Sequence, residues 1–170
     1  MDLIITPLHK SHDRSAFDCG EPSLDDYLHR YASQDIRRRI NKVFIASPPD
    51  APRRVIGYYS LSAGSLQAGA LPESLRRRLP RYPVPMARIG RLAVARSHQG
   101  QGIGSILLAD ALQRTARASQ VMAVYAVVVD ALDRRAARFY RQFGFIPLPS
   151  QPLTLFLPMD SVSTLLANAE

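Results

Sequence analysis

The chain has 170 residues, 46% hydrophobic and 21% charged, which suits a single domain over 1–170 whose core removes about two-thirds of the unfolded surface from water. With 22 Lys and Arg against 14 Asp and Glu the formal charge is +8, so an anionic partner is favoured over a small cationic amine. One cysteine, Cys19, excludes an internal disulfide framework, and no apolar run approaches a membrane span.

The opening Met1-Asp2-Leu3-Ile4-Ile5 lacks the charged n-region of a signal peptide, so a cytoplasmic protein with no membrane role is expected. Phe17-Asp18-Cys19-Gly20-Glu21-Pro22 reads as a turn. Ser23 is then placed to N-cap a helix over 23–35, with Asp26 three residues on as a variant capping box. Leu24, Tyr27, Leu28 and Tyr31 recur at helical spacing and form its predicted buried face. Strands are predicted over 43–46 and 55–61, with Pro48, Pro49 and Pro52 marking the turn between them. Pro72-Glu73-Ser74-Leu75 starts a short helix that ends before Pro80.

The stretch from Arg88 to Ser105 is the most informative. An apolar run, Leu92-Ala93-Val94, meets Gln99-Gly100-Gln101-Gly102-Ile103-Gly104-Ser105, and Ile103, Ile106, Leu107, Leu108, Ala111 and Leu112 then outline an amphipathic helix. Alternating glycines let successive backbone N–H groups turn toward one point, and the helix adds the positive end of its dipole, which makes a pyrophosphate pocket. No Lys follows as in a P-loop, and the third glycine comes one position too early for a dinucleotide fingerprint.

Residues 121–129 are apolar without alternation and predict a central strand covered on both faces. A helix over 132–142 should end at Gly144 as its C′ residue, and 153–157 should close the sheet. The last ten residues hold no basic residue and form a short terminal helix or fray. The fold class is therefore α/β, a central mixed, twisted sheet with helices on both faces. His9, His12, His29 and His98 have no ligand-like spacing beyond His9-x-x-His12, so no metal is expected.

The Gln99–Gly104 pattern resembles the acetyl-CoA loop of GNAT-type N-acetyltransferases, Gln/Arg-x-x-Gly-x-Gly/Ala. A second anchor, Asn-x-x-Ala-x-x-x-Tyr-x-x-x-Gly-Phe in that family, is matched by Ala136, Tyr140, Gly144 and Phe145, with Asp133 in place of the Asn. The resemblance implies the GNAT fold and acetyl-CoA as co-substrate, with Leu92, Ala93, Val94, residues 99–105, Asp133 and Phe143 around it. It also puts Tyr140 where the CoA sulfur emerges, as the acid that protonates the departing thiolate. A phenol of pKa about 10 donates to a thiolate of about 8.5 only when held close. The backbone N–H of Val94 is assigned to the oxyanion.

No base is placed: Glu21, Glu73 and Glu170 all lie outside the predicted core strands. A lysine of pKa about 10.4 needs a base, whereas an α-amine of about 7.7–8 is partly neutral at pH 7, so the acceptor leans toward an α-amine. Arginines dominate the basic clusters: Arg37, Arg38 and Arg39, then Arg53 and Arg54, then Arg76, Arg77, Arg78 and Arg81, then Arg88 and Arg91. Each cluster alone reads as a solvated face. Together they suit a phosphate-rich acceptor such as RNA, because arginine forks match phosphate oxygens.

The Phe17-Asp18-Cys19-Gly20 opening, Tyr58-Tyr59-Ser60-Leu61-Ser62, Arg91-Leu92-Ala93-Val94 and Phe139-Tyr140-Arg141-Gln142-Phe143-Gly144-Phe145 further resemble the GNAT toxins of bacterial type II toxin–antitoxin modules. That resemblance implies acetylation of the α-amine of aminoacyl-tRNA, translation arrest, homodimerisation and a ribbon-helix-helix antitoxin. The alternatives are a GNAT acting on a small amine or protein N-terminus, and an idle GNAT-like domain that binds nucleic acid or a partner.

Overall fold

The computed structural model describes residues 2–169; Met1 and Glu170, the latter weighed above as a base, lie outside the described residues. Seven strands form one sheet in the order β1-β2-β3-β4-β5-β7-β6. They are β1 Ile4–Pro7, β2 Lys42–Ser47, β3 Gly57–Leu66, β4 Val84–Val94, β5 Ala126–Asp130, β6 Ile146–Leu148 and β7 Gln151–Pro158. The sheet is mixed: β4 and β5 are parallel, while β1 with β2, β2 with β3, β5 with β7 and β6 with β7 are antiparallel. The helices are α1 Pro22–Asp26, α2 Ala32–Arg37, α3 Glu73–Arg76, α4 Ile103–Ala118, α5 Arg134–Arg141 and α6 Met159–Ala167. No helix among the described residues is long and apolar enough to cross a membrane.

The chain divides into two compact units. The first comprises the chain up to Ser62 together with Arg91–Ala111. Its core holds Phe17, Tyr27, Leu28, Ala32, Val43, Ile45, Tyr58 and Ala93. Each large side chain fully buried there contributes about 1.5–3 kcal/mol.

The first predicted helix forms, but not as its spacing suggested. Pro22 takes the first helical turn and Glu21 is the N-cap, without a side-chain cap bond, so Ser23 is not the cap. A π-helical turn, Tyr27–Tyr31, separates α1 from α2. It inserts one residue into the period, so Ala32 is buried and Tyr31 is 50% exposed. Val55 and Ile56 are buried, yet the ladder of β3 begins at Gly57 and runs on to Leu66. On α4 the predicted apolar face holds except at Ile106, which is exposed.

The second unit comprises Ala63–Gly90 and the chain from Leu112 onward. Leu66, Leu71, Val84, Met86, Val128, Leu148 and Phe156 form its core. The strand predicted over 121–129 shortens to β5: Val121 and Met122 are exposed in the turn that follows α4. β5 itself is buried throughout up to Asp130. The helix predicted over 132–142 is α5, which begins two residues later because Asp133 caps it: Asp133 Oδ1 accepts from the Ala136 amide at 2.9 Å. Leu132 is left exposed before the cap. Gly144, with φ 93°, lies two residues beyond the C-cap Gln142 rather than directly after it. Strand β7 does not close the sheet; it lies between β5 and the short β6. Helix α6 spans Met159–Ala167 and takes up most of the segment expected to form a short helix or fray.

Candidate active site

In the first unit, β4 ends at Val94 and a 3₁₀ turn, Arg96–His98, leads into the glycine loop and α4. Gly100 and Gly102 have φ of 78° and 81°, and a Cβ at either would meet nothing within 4 Å. The space on that side of the loop is therefore open, and only glycine holds this backbone without strain. Gly104 is different: it lies in the first turn of α4 and is not one of the left-handed glycines.

The side chain of Gln99 turns inward, with Nε2 donating to the Cys19 and Val94 carbonyls at 2.9 Å each. Ile103 is 1% exposed and anchors the start of α4 in the core. The Gln99 amide donates to the Arg96 carbonyl at 3.4 Å, so the loop offers a ligand the backbone amides of 100–104, one fewer than the sequence suggested, with the dipole of a 16-residue helix, a donor set that fits a pyrophosphate. Gln101 is exposed, Ser105, Leu92 and Val94 are half-buried, and Ala93 is buried.

In the second unit, the β4–β5 ladder runs from Met86 opposite Ala126 to Ile89 opposite Val129. Asp130 ends β5, and Arg88 Nη1 donates to both of its carboxylate oxygens at 2.7 and 2.6 Å. On α5, Tyr140 is 4% exposed and sits edge-on to Phe139 and Phe145, with ring centroids 5.2 and 5.7 Å away. Burial, and then the Asp130 carboxylate, push its phenol well above the ordinary tyrosine range. Tyr140 therefore holds its proton at any working pH. Phe143 is half-buried with its ring 5.3 Å from Phe139. Asp133, a candidate cofactor contact in the sequence, has its Oδ1 engaged by the α5 amide.

The acetyltransferase (GNAT) family pattern matches residues 12–145. This chain belongs to the GNAT acetyltransferase family. The GNAT chain is 38% identical over 156 residues to the tRNA-acetylating toxin of Mycobacterium tuberculosis (strain ATCC 25618 / H37Rv), covering 92% of each chain. It is 34% identical to AtaT solved with acetyl-methionyl-tRNAfMet, with a TM-score of 0.89 over 96% of this chain and 99% of that one. A tyrosine-to-phenylalanine mutant of AtaT, bound to the C-terminus of the antitoxin AtaR and acetyl-CoA, is 31% identical, with a TM-score of 0.83 over 98% and 99% of the chains.

The arginines of this GNAT protein fall into two classes. Arg37, Arg38, Arg76, Arg77, Arg78 and Arg81 are exposed, with Arg77 paired to Glu73 one turn away. Arg88 and Arg91, grouped with them on sequence, are half-buried: Arg88 is held by Asp130, and the Arg91 guanidinium lies 3.6 Å from the centre of the Tyr27 ring. Tyr27 in turn donates to Asp35 Oδ2 at 2.9 Å, and Asn41 bridges the pair. No sequence signal links these partners, which meet only through the fold.

Of the two described glutamates, Glu73 is paired with Arg77, and Glu21 stands at the N-cap position of α1 without a side-chain cap bond. His12 Nδ1 accepts from the His9 amide, so that histidine pair closes a local turn.

Proposed function

We propose that this protein transfers the acetyl group of acetyl-CoA to the α-amine of an aminoacyl-tRNA and arrests translation as the toxin of a toxin–antitoxin pair. The observation that carries this reading is its near full-length likeness to AtaT solved with acetyl-methionyl-tRNAfMet. The open glycine loop and the buried, protonated Tyr140 support it. We read the chain as one acetyltransferase domain of the cytoplasm, working as a homodimer and neutralised by a ribbon-helix-helix antitoxin.

As the GNAT resemblance implies, the backbone amides of 100–104 take the pyrophosphate of acetyl-CoA, with Leu92, Ala93, Val94, Ser105 and Phe143 along the rest of it. The acceptor amine attacks the thioester carbonyl, the Val94 N–H stabilises the oxyanion, and the C–S bond breaks as Tyr140 gives its proton to the sulfur; the proton shed by the new amide nitrogen goes to water, and water restores the proton of Tyr140. A neutral α-amine needs no carboxylate base to begin the attack. The exposed arginines at 37, 38, 76, 78 and 81 meet the RNA backbone. Expression without the antitoxin tests the assignment. Wild-type protein should arrest growth and Tyr140→Phe should not; arrest by both would refute the role of Tyr140.

A further inference from the structure

The Phe17-Asp18-Cys19-Gly20 segment is tied locally to Arg14 and His29, and its Asp18 and Cys19 also bond to Arg96 and Gln99, the residues that lead into the glycine loop. Phe17 anchors it, 3% exposed and edge-on to Tyr58 at 5.6 Å. The Cys19 amide donates to Asp25 Oδ1 at 2.9 Å, which fixes the segment to α1. From that fixed base, Asp18 grips Arg96 twice: its carbonyl accepts from the Arg96 amide at 2.9 Å, and its Oδ1 accepts from Nε at 3.1 Å. The same Oδ1 accepts from the Gly20 amide at 2.9 Å. Gly20 has φ 92°, and a Cβ there would approach Arg96 Nε to 3.3 Å. The Cys19 carbonyl takes Gln99 Nε2, which also ties back to Val94.

We infer that this segment is a positioning strap for the cofactor loop: Asp18 and the Cys19 carbonyl hold Arg96 and Gln99, and so fix the direction from which residues 100–104 present their amides. The inference rests on reading that loop as the acetyl-CoA site. Preorganised amides bind an anion without first being ordered, so loosening the strap weakens cofactor binding while leaving the chemistry alone. Asp18 is thus a positioning residue acting through Arg96. The strap lies about eighty residues before the loop in the chain, so only the fold reveals the connection.

A double-mutant cycle on the full chain tests this. Asp18→Ala should weaken acetyl-CoA binding, read by calorimetry, by about twofold to fivefold, the range for loss of an exposed charged hydrogen bond. At saturating acetyl-CoA, kcat and the KM for charged tRNA should hold while the KM for acetyl-CoA rises. The Asp18→Ala, Arg96→Ala double variant should bind no worse than Arg96→Ala alone. Unchanged affinity in Asp18→Ala, or losses that add in the double variant, would overturn the strap. Asp18→Asn, which keeps the shape, serves if the alanine variant does not fold and should show the same loss in smaller measure. Wild-type protein that binds no acetyl-CoA would instead overturn the reading of the loop.

Discussion

Tyr140 keeps its proton because it is buried beside Asp130, and a departing thiolate in the same desolvated place becomes a stronger base as well. The transfer therefore stays feasible although the phenol is a weaker acid than in water. Tyr140→Phe keeps the ring against Phe139 and Phe145 and should lower the rate by roughly two to four orders of magnitude, with acetyl-CoA affinity and thermal stability nearly unchanged. Single-turnover acetylation beside calorimetry reads both. The pH profile follows from the same shift. Activity needs a neutral amine and a protonated phenol, so the rate should rise through the α-amine pKa of about 7.7–8 or below. Raising the tyrosine pKa moves the falling limb to higher pH, so no decline is expected up to about pH 9.5. A descending limb centred below pH 9 would show a different acid. Tyr140 was legible in the sequence because its motif is local. The engagement of Arg88 by Asp130 and of Arg91 by Tyr27 was not, because those partners are 42 and 64 positions apart in the chain.

Among the elements, the loop-to-helix junction was the most legible, since alternating glycines before an amphipathic period leave few other folds. The structure changes the reason at each glycine. At Gly102 the left-handed φ, with open space beyond, makes Gly102→Val a backbone strain rather than a clash, and acetyl-CoA binding should fall strongly without loss of fold. Gly104 lacks that requirement, so Gly104→Ala should be well tolerated for stability, read by thermal melting. Helix α5 depends on its cap: Asp133→Ala should cost about 1 kcal/mol in denaturant unfolding, while Asp133→Asn should cost little. Periodicity failed at Tyr31 because a π turn resets the helical phase, which no spacing rule anticipates. Strands β1 and β6, of four and three residues, are too short to carry a period, and pairing with β2 and β7 decides them.

Across the whole molecule, a formal charge of +8 concentrated in arginine argues for a polyanion, and the exposed triplet Arg76, Arg77 and Arg78 is the sharpest place to test it. Reversing all three to Glu should lower tRNA acetylation and flatten the salt dependence of tRNA binding, while acetyl-CoA affinity holds. Wild-type tRNA binding that is flat in salt would remove the electrostatic basis of the RNA reading. Charge and motif order made the fold class and acceptor class legible, but which charges are exposed emerged only from packing. The most direct measurement is transfer itself. The wild-type protein is incubated with labelled acetyl-CoA and total aminoacylated tRNA, and the labelled RNA is digested and analysed by mass spectrometry. The expected product is N-acetyl-aminoacyl-adenosine from one or more tRNAs, with none when the tRNA is first deacylated. Label that appears on deacylated tRNA, or on protein with none on aminoacyl-adenosine, would contradict it.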